Sequence, residues 1–245
     1  YKKLTDEQLD IRRDNLAVRP PIWRKLTTHQ KVGLLVGIRH KRFCYWYDTG
    51  TGKTLLSLAL AAYFRKRGTL NKAVLVLVPN KVNKSEWVRE IEKHTNAEFI
   101  VLRGSSAEKW DALTAARDHI VVETYAGLVR MVCELKKAKR KRRNELKPDA
   151  LLVSKVAKLV AMLVLDESGS VGNHTSLAYR ICRLLHHATP QAVRNDHGLY
   201  LPVVRNAACQ ADYVRRPFQR GLKFPAPSTF QLDCSGHIHS LRESD

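Results

Sequence analysis

No run of apolar residues long enough to cross a bilayer occurs in the 245 residues, so a membrane-spanning helix is excluded and no membrane partner is expected. Cysteine is sparse. Cys44, Cys133, Cys182, Cys209 and Cys234 make an odd count of five with no CxxC spacing. That pattern excludes a paired disulfide framework and reads as reduced thiols in a cytoplasmic protein. A signal peptide is lacking, in keeping with the same compartment. An initiator Met is lacking too: the chain begins at Tyr1, as expected of a processed form or a fragment. Acidic residues are in short supply, 23 against 43 Lys and Arg, for a formal net charge of +20. Such an excess favours a polyanionic partner, above all nucleic acid. What is plentiful is apolar: 44% of residues are hydrophobic, enough for the core of one large domain, with or without a tail.

The apolar residues are ordered along the chain. Residues 5–15 are polar and helix-compatible, Thr5 and Gln8 have capping-box spacing, and Pro20-Pro21 end the segment. Residues 26–38 carry apolar side chains at helical intervals and run into a short strand at 42–47. Leu55, Leu56, Leu58, Leu60, Ala61 and Phe64 form a helix that Gly68 can cap. Ala73–Val78 is an unbroken apolar run ending at Pro79, the pattern of a parallel strand buried on both faces. Helices at 85–94, 107–117 and 127–139 then alternate with strands at 99–102, 120–122 and 159–165. This alternation predicts an α/β fold with a mostly parallel sheet flanked by helices.

Two stretches break the rhythm. Residues 136–143 (KKAKRKRR) are a charge block, read either as a nucleic-acid patch or localisation signal, or as a solvated helix end. From Thr189 onward the periodicity ends, and five of the nine prolines fall there, Pro190, Pro202, Pro217, Pro225 and Pro227. The expected division is an N-terminal extension at 1–21, a folded lobe at 22–188 and an irregular tail at 189–245. Cys209, Cys234, His237 and His239 in that tail match no common zinc spacing.

Between the strand at 42–47 and the next helix stands Asp48-Thr49-Gly50-Thr51-Gly52-Lys53-Thr54. A triphosphate needs several donors converging on its oxygens, and glycines let backbone N–H groups approach closely enough to supply them. The sequence therefore predicts a P-loop for ATP with Mg²⁺. Thr49, Gly50, Thr51 and Gly52 form the cradle, Lys53 reaches the β- and γ-phosphates, and the Thr54 hydroxyl completes the metal shell. The strict GxxxxGKT pattern wants glycine where this chain has Tyr47. A second apolar strand ends in Asp166-Glu167-Ser168. Asp166 is assigned to Mg²⁺ and Glu167 to activating water, which makes Lys53, Asp166 and Glu167 the expected catalytic set.

These elements together resemble the first RecA-like lobe of a superfamily-two helicase of the Swi/Snf-like or phage-helicase type. The likeness runs over about residues 26–185. Thr28-His29-Gln30 stands where that family places its Q-like motif, which implies that Gln30 contacts adenine. Val76-Leu77-Val78-Pro79 with Trp87 and Glu90 resembles motif Ia, and Val121-Val122-Glu123-Thr124-Tyr125 resembles the strand and loop that follow it. Asp166-Glu167-Ser168 with Asn173 and Ser176 resembles motif II and its downstream element. The resemblance implies a nucleic-acid path along Pro79, Asn80, Lys81, Thr124 and Tyr125, DNA rather than RNA as the track, and a second RecA-like lobe as partner. It also admits the cytoplasm of an infected host as the compartment.

The chain departs from the family pattern at Gly169 and Gly172, where His and Lys are common. The "TGTP" or "SAT" element expected after motif II is not intact, and Ala188-Thr189-Pro190 is at most its remnant. Codons for Val193-Arg194-Asn195-Asp196, read one nucleotide on, can spell Tyr-Gly-Met-Thr. A lobe truncated or frameshifted after motif II would account together for the lost periodicity, the prolines and the absent second lobe. An accessory tail is the alternative, as is a non-catalytic module that holds nucleotide or nucleic acid without turnover.

Overall fold

A computed structural model of the chain describes residues 4–40, 42–47, 50–133, 148–196, 230–232 and 238–240. The chain runs through α1 (Asp6–Asp14), α2 (Thr28–Arg39), β1 (Arg42–Trp46), α3 (Lys53–Lys66), β2 (Ala73–Val78) and α4 (Lys81–His94). It continues through β3 (Phe99–Val101), α5 (Ser106–Ala115), β4 (Ile120–Thr124), α6 (Tyr125–Val132), α7 (Ala150–Leu159), β5 (Val160–Asp166), α8 (Leu177–Ala188) and β6 (Gln191–Asp196). The first six strands form one sheet in the order β1-β6-β5-β2-β4-β3, and every pairing in it is parallel. A separate antiparallel pair, β7 (Phe230–Leu232) and β8 (Ile238–Ser240), lies in the tail.

The unbroken apolar run of β2 has a direct structural cause. Successive side chains of a strand point to opposite faces, and here both faces are covered. Val74, Val76 and Val78 pack with Leu34 of α2, Leu56 and Leu60 of α3, and Trp87 and Ile91 of α4. Ala73, Leu75 and Leu77 pack on the other face with Leu113, Leu128, Val153, Val156, Ile181 and Leu185, from α5 to α8. Helix ends follow local capping: Thr5 Oγ1 accepts from Gln8 N–H, and Gln8 Oε1 accepts from Thr5 N–H. Helix α4 starts at Lys81, four residues before the expected start at 85, because the Asn80 side-chain amide oxygen accepts from the N–H groups of Val82 and Asn83.

The expected boundary near Ala188 falls inside the fold. Strand β6 lies beyond it and fills the slot between β1 and β5, with Ala192 opposite Arg42 and Leu163, and Asn195 opposite Tyr45 and Asp166. Its Arg194 and Asn195 are buried polar residues, so the strand has no apolar run to announce it. The guanidinium of Arg42 locks the approach to this strand, donating to the carbonyls of His186 (2.8 Å), His187 (2.8 Å) and Thr189 (3.1 Å) at the end of α8. At the other end, residues expected as an extension also join the lobe. Leu9 of α1 is fully buried in the core, and Trp23 Nε1 donates to Asp10 at 2.7 Å.

Helix α7 was not expected, because its apolar residues run straight into those of β5. The charge block at 136–143 and Pro202, Pro217, Pro225, Pro227, Cys209, Cys234 and His237 lie outside the described residues. Among the described residues no helix is long and apolar enough to cross a membrane.

Candidate functional site

Since the strands of the main sheet are parallel, their C-terminal ends share one edge, where open α/β sheets carry their sites. The expected P-loop joins β1 to α3 on this edge. Asp48 and Thr49 lie outside the described residues. Gly50 and Gly52 have φ of 76° and 81°, conformations that an L side chain rarely adopts. Gly52 also precedes the first turn of α3, and a Cβ there would collide with the Gln30 side chain. Gln30 itself is buried and braces the loop: its Nε2 donates to the Thr51 carbonyl at 2.9 Å, while its Oε1 accepts from Thr27 N–H at 3.0 Å. Lys53 and Thr54 open α3, and the Lys53 ammonium donates to the Tyr47 carbonyl at 2.9 Å.

The departure at Tyr47 is absorbed by α2. Tyr45 and Tyr47 project from the same face of β1, stacked with centroids 5.9 Å apart. A Cβ on Gly33 of α2 would sit 2.6 Å from the Tyr47 hydroxyl, so the bulk gained in the loop is matched by bulk missing from the helix. Burial pushes the Tyr47 phenol well above its ordinary pKa, and it stays neutral.

Asp166 ends β5, two strands from β1. Its Oδ2 accepts from the indole N–H of Trp87 at 2.8 Å, and its Oδ1 from Asn195 Nδ2 at 3.4 Å. Asn195 in turn accepts from Ser57 of α3 at 3.2 Å. Burial raises the Asp166 pKa above its ordinary 3.8 and the neighbouring Glu167 adds to this, against the bonds from Trp87 and Asn195 and the charge of Lys53. The two expected catalytic groups from distant parts of the chain, Lys53 and Asp166, are thus electrostatic neighbours. Glu167 has φ of 45°, the only non-glycine positive φ among the described residues. Such a backbone costs about 1–3 kcal/mol and is held only where the surroundings impose it. Ser168 is buried, and its hydroxyl accepts from Arg194 Nε at 2.7 Å.

This donor set fits Mg²⁺. Among the described residues no group of three or more His, Cys, Asp or Glu side chains gathers around a point. Mg²⁺ is held by one or two carboxylates together with substrate phosphates and water, rather than by an all-protein cage. A largely desolvated carboxylate near Lys53 and the glycine turn answers that description, and a cation there would offset the cost of desolvating it.

Further along the edge, Asn80 and Lys81 are exposed, and Pro79 and Thr124 are partly buried, at the ends of the adjacent strands β2 and β4. Thr124 Oγ1 accepts from Gly127 N–H at 3.0 Å and caps α6. Tyr125, by contrast, is buried, and its hydroxyl donates to the Asp166 carbonyl at 2.7 Å. It joins the edge from inside and does not face outward with the others. Sequence reasoning missed Ser57, Arg194 and Asn195 around motif II, and assigned no role at Asp166 to Trp87. It also missed a buried ion cluster in which Glu123 pairs with Lys84 at 2.7 Å and Lys109 at 2.6 Å. Only a demand for partners could have found these: a carboxylate at 1% exposure needs cations near it.

The model of the SNF2-related domain matches residues 46–189, well over half of the chain. The chain belongs to the SNF2-related domain family. That match opens at the P-loop strand and takes in motif II, but stops short of β6. No curated protein sequence matches the chain. Among solved structures, the SWI2/SNF2 ATPase core of Sulfolobus solfataricus in complex with dsDNA is 18% identical with a TM-score of 0.50, over 73% of this chain and 35% of that one. The UvsW helicase of bacteriophage T4 is 15% identical with a TM-score of 0.51, over 87% and 66%. The Hef helicase domain of Pyrococcus furiosus is 17% identical with a TM-score of 0.54, over 76% and 37%. At these identities the likeness establishes the fold, that of a first RecA-like lobe of helicase type. The SNF2-related lobe described here spans about a third of the Sulfolobus core and 66% of UvsW.

Proposed function

We propose that the chain binds ATP with Mg²⁺ and is the nucleotide-binding lobe of a DNA-dependent ATPase of helicase or translocase type. The observation that supports this reading is that Lys53, which follows the positive-φ Gly50 and Gly52, lies within electrostatic reach of Asp166, more than a hundred residues away in sequence. Backbone N–H groups of residues 50–52 would cradle the phosphates, and Lys53, which donates to the Tyr47 carbonyl here, would turn to their oxygens. Thr54 and Asp166 would hold the metal, which would supply charge neutralisation at the phosphoryl group. Glu167, in its constrained backbone, orients water and takes its proton. Gln30 fixes the cradle from behind and has an amide N–H left for adenine.

Pro79, Asn80, Lys81 and Thr124 form the nucleic-acid edge on β2 and β4, with Tyr125 bracing it from inside. DNA is the favoured track, supported by the family and by a net charge of +20. Work along DNA needs a second RecA-like lobe closing over the same nucleotide.

The experiment is titration with a fluorescent ATP analogue. Lys53→Ala is expected to weaken binding about 10–100-fold, the worth of a charge-assisted contact, in a protein that still folds. Unchanged affinity in the folded variant would remove the reading.

A further inference from the structure

Helix α4 touches both halves of the edge. At its start Asn80, Lys81 and Val82 are exposed, Val82 at 67%, beside the end of β2. One turn on, Lys84 donates to the Leu102 carbonyl (2.8 Å) and to Glu123 Oε1 (2.7 Å). The same Glu123 oxygen accepts from Thr124 N–H at 2.7 Å, so the loop after β4 is fastened to α4 through one carboxylate. Two turns from Asn80, Trp87 is 2% exposed and gives its only N–H to Asp166 Oδ2 at 2.8 Å. The buried indole N–H needs this partner, because a buried donor left alone carries the full cost of desolvation, and the partly buried carboxylate is held by it on one oxygen. A helix moves as a rigid piece, so displacement at Asn80 or Thr124 is delivered to the indole.

We propose that Trp87 is a positioning residue for Asp166, and that α4 carries the state of the nucleic-acid edge to this carboxylate through the indole bond. The inference rests on the proposed ATP and Mg²⁺ site and names the element that regulates it. The bond orients one carboxylate oxygen, leaving the remaining lone pairs of Asp166 to the metal and to Asn195.

The test uses the full chain with Trp87→Phe and, should that variant fold poorly, a benzothienylalanine at 87 that replaces only the N–H by sulfur. Affinity for the fluorescent ATP analogue is measured with Mg²⁺ and in EDTA, each with and without random-sequence duplex DNA. In the parent chain, DNA is expected to tighten Mg²⁺-dependent nucleotide binding, and nucleotide to tighten DNA binding by the same factor, about 5-fold or more. Loss of the N–H is expected to lower affinity about 10-fold with Mg²⁺, far less in EDTA, and to bring the DNA factor close to one. Equal losses with and without Mg²⁺ would mark Trp87 as a packing residue and overturn the proposal. So would a variant that keeps both the Mg²⁺ response and the DNA factor, or a parent chain that shows no DNA factor. In each of these cases Lys53-dependent binding stands, whereas loss of Lys53 dependence strikes the ATP-site reading itself.

Discussion

Glu123 shows how a single residue can hold three elements at once. It is the next-to-last residue of β4, with its carboxylate against Lys84 of α4 and Lys109 of α5, and a Cβ at Gly127 of α6 would strike it. Burial pushes its pKa up, but the hydrogen bonds from Lys109, Lys84 and Thr124 N–H outweigh burial and hold it below the ordinary 4.5. A carboxyl group with a lowered pKa stabilises the fold above its unfolded value, and loses that contribution as pH falls through the folded value. The chain is therefore expected to lose stability from about pH 4.5 downward, in part through this group. Glu123→Gln should cost about 3 kcal/mol at neutral pH, since two partly buried ammonium groups lose their counter-charge. Below pH 4.5 the variant's stability should change less with pH than the parent's. Urea midpoints across this range check both statements, and parallel curves for the two proteins would show that the cluster contributes no such linkage.

At the scale of elements, β6 decides where the lobe ends. It separates β1, which leads to the P-loop, from β5, which ends in Asp166. A chain cut after residue 188 loses the partner of both strands and exposes two unpaired edges inside the sheet. It is expected not to fold, whereas a chain cut after 196 should keep the sheet and bind the ATP analogue. Circular dichroism and thermal melts of the two truncations test this; a stable product ending at 188 would refute it. The sequence announced the strands whose burial is apolar, Ala73–Val78 and Val160–Asp166, because their neighbours are oil-like on both faces. It hid β6, because Arg194 and Asn195 are buried by virtue of Ser168, Ser57 and Asp166, partners up to 138 residues away. The turn of Gly50 and Gly52 before Lys53 and α3 was legible for the opposite reason. Their chemistry is local, a glycine backbone and a lysine within a few residues, so one stretch of chain contains most of the information. Tyr125 shows the limit of such reading. It stands at a motif position, yet it is buried and its hydroxyl donates inward to the Asp166 carbonyl.

For the whole molecule, the proposed function would set nucleotide and nucleic acid side by side on one edge of the sheet, with β1, β6 and β5 serving one and β2 and β4 the other. Over that arrangement lies a net charge of +20, which attracts any polyanion and by itself specifies no site. Salt dependence separates the two contributions. Each phosphate neutralised releases counterions, so the logarithm of affinity for duplex DNA falls with the logarithm of salt, about 0.9 per contact. A footprint of six phosphates gives a slope of about −5, insensitive to scrambling of the bases. Lys81 is exposed at the start of α4 and is expected to supply one of those contacts. Lys81→Ala should then lower the slope by about one and weaken binding evenly across sequences, leaving thermal stability unchanged. If the slope is steep but indifferent to Lys81, the DNA is held by charge elsewhere on the chain and the edge of β2 and β4 is not its seat. Should affinity instead be insensitive to salt, or change strongly with base sequence, phosphate contacts are not the basis of recognition at all.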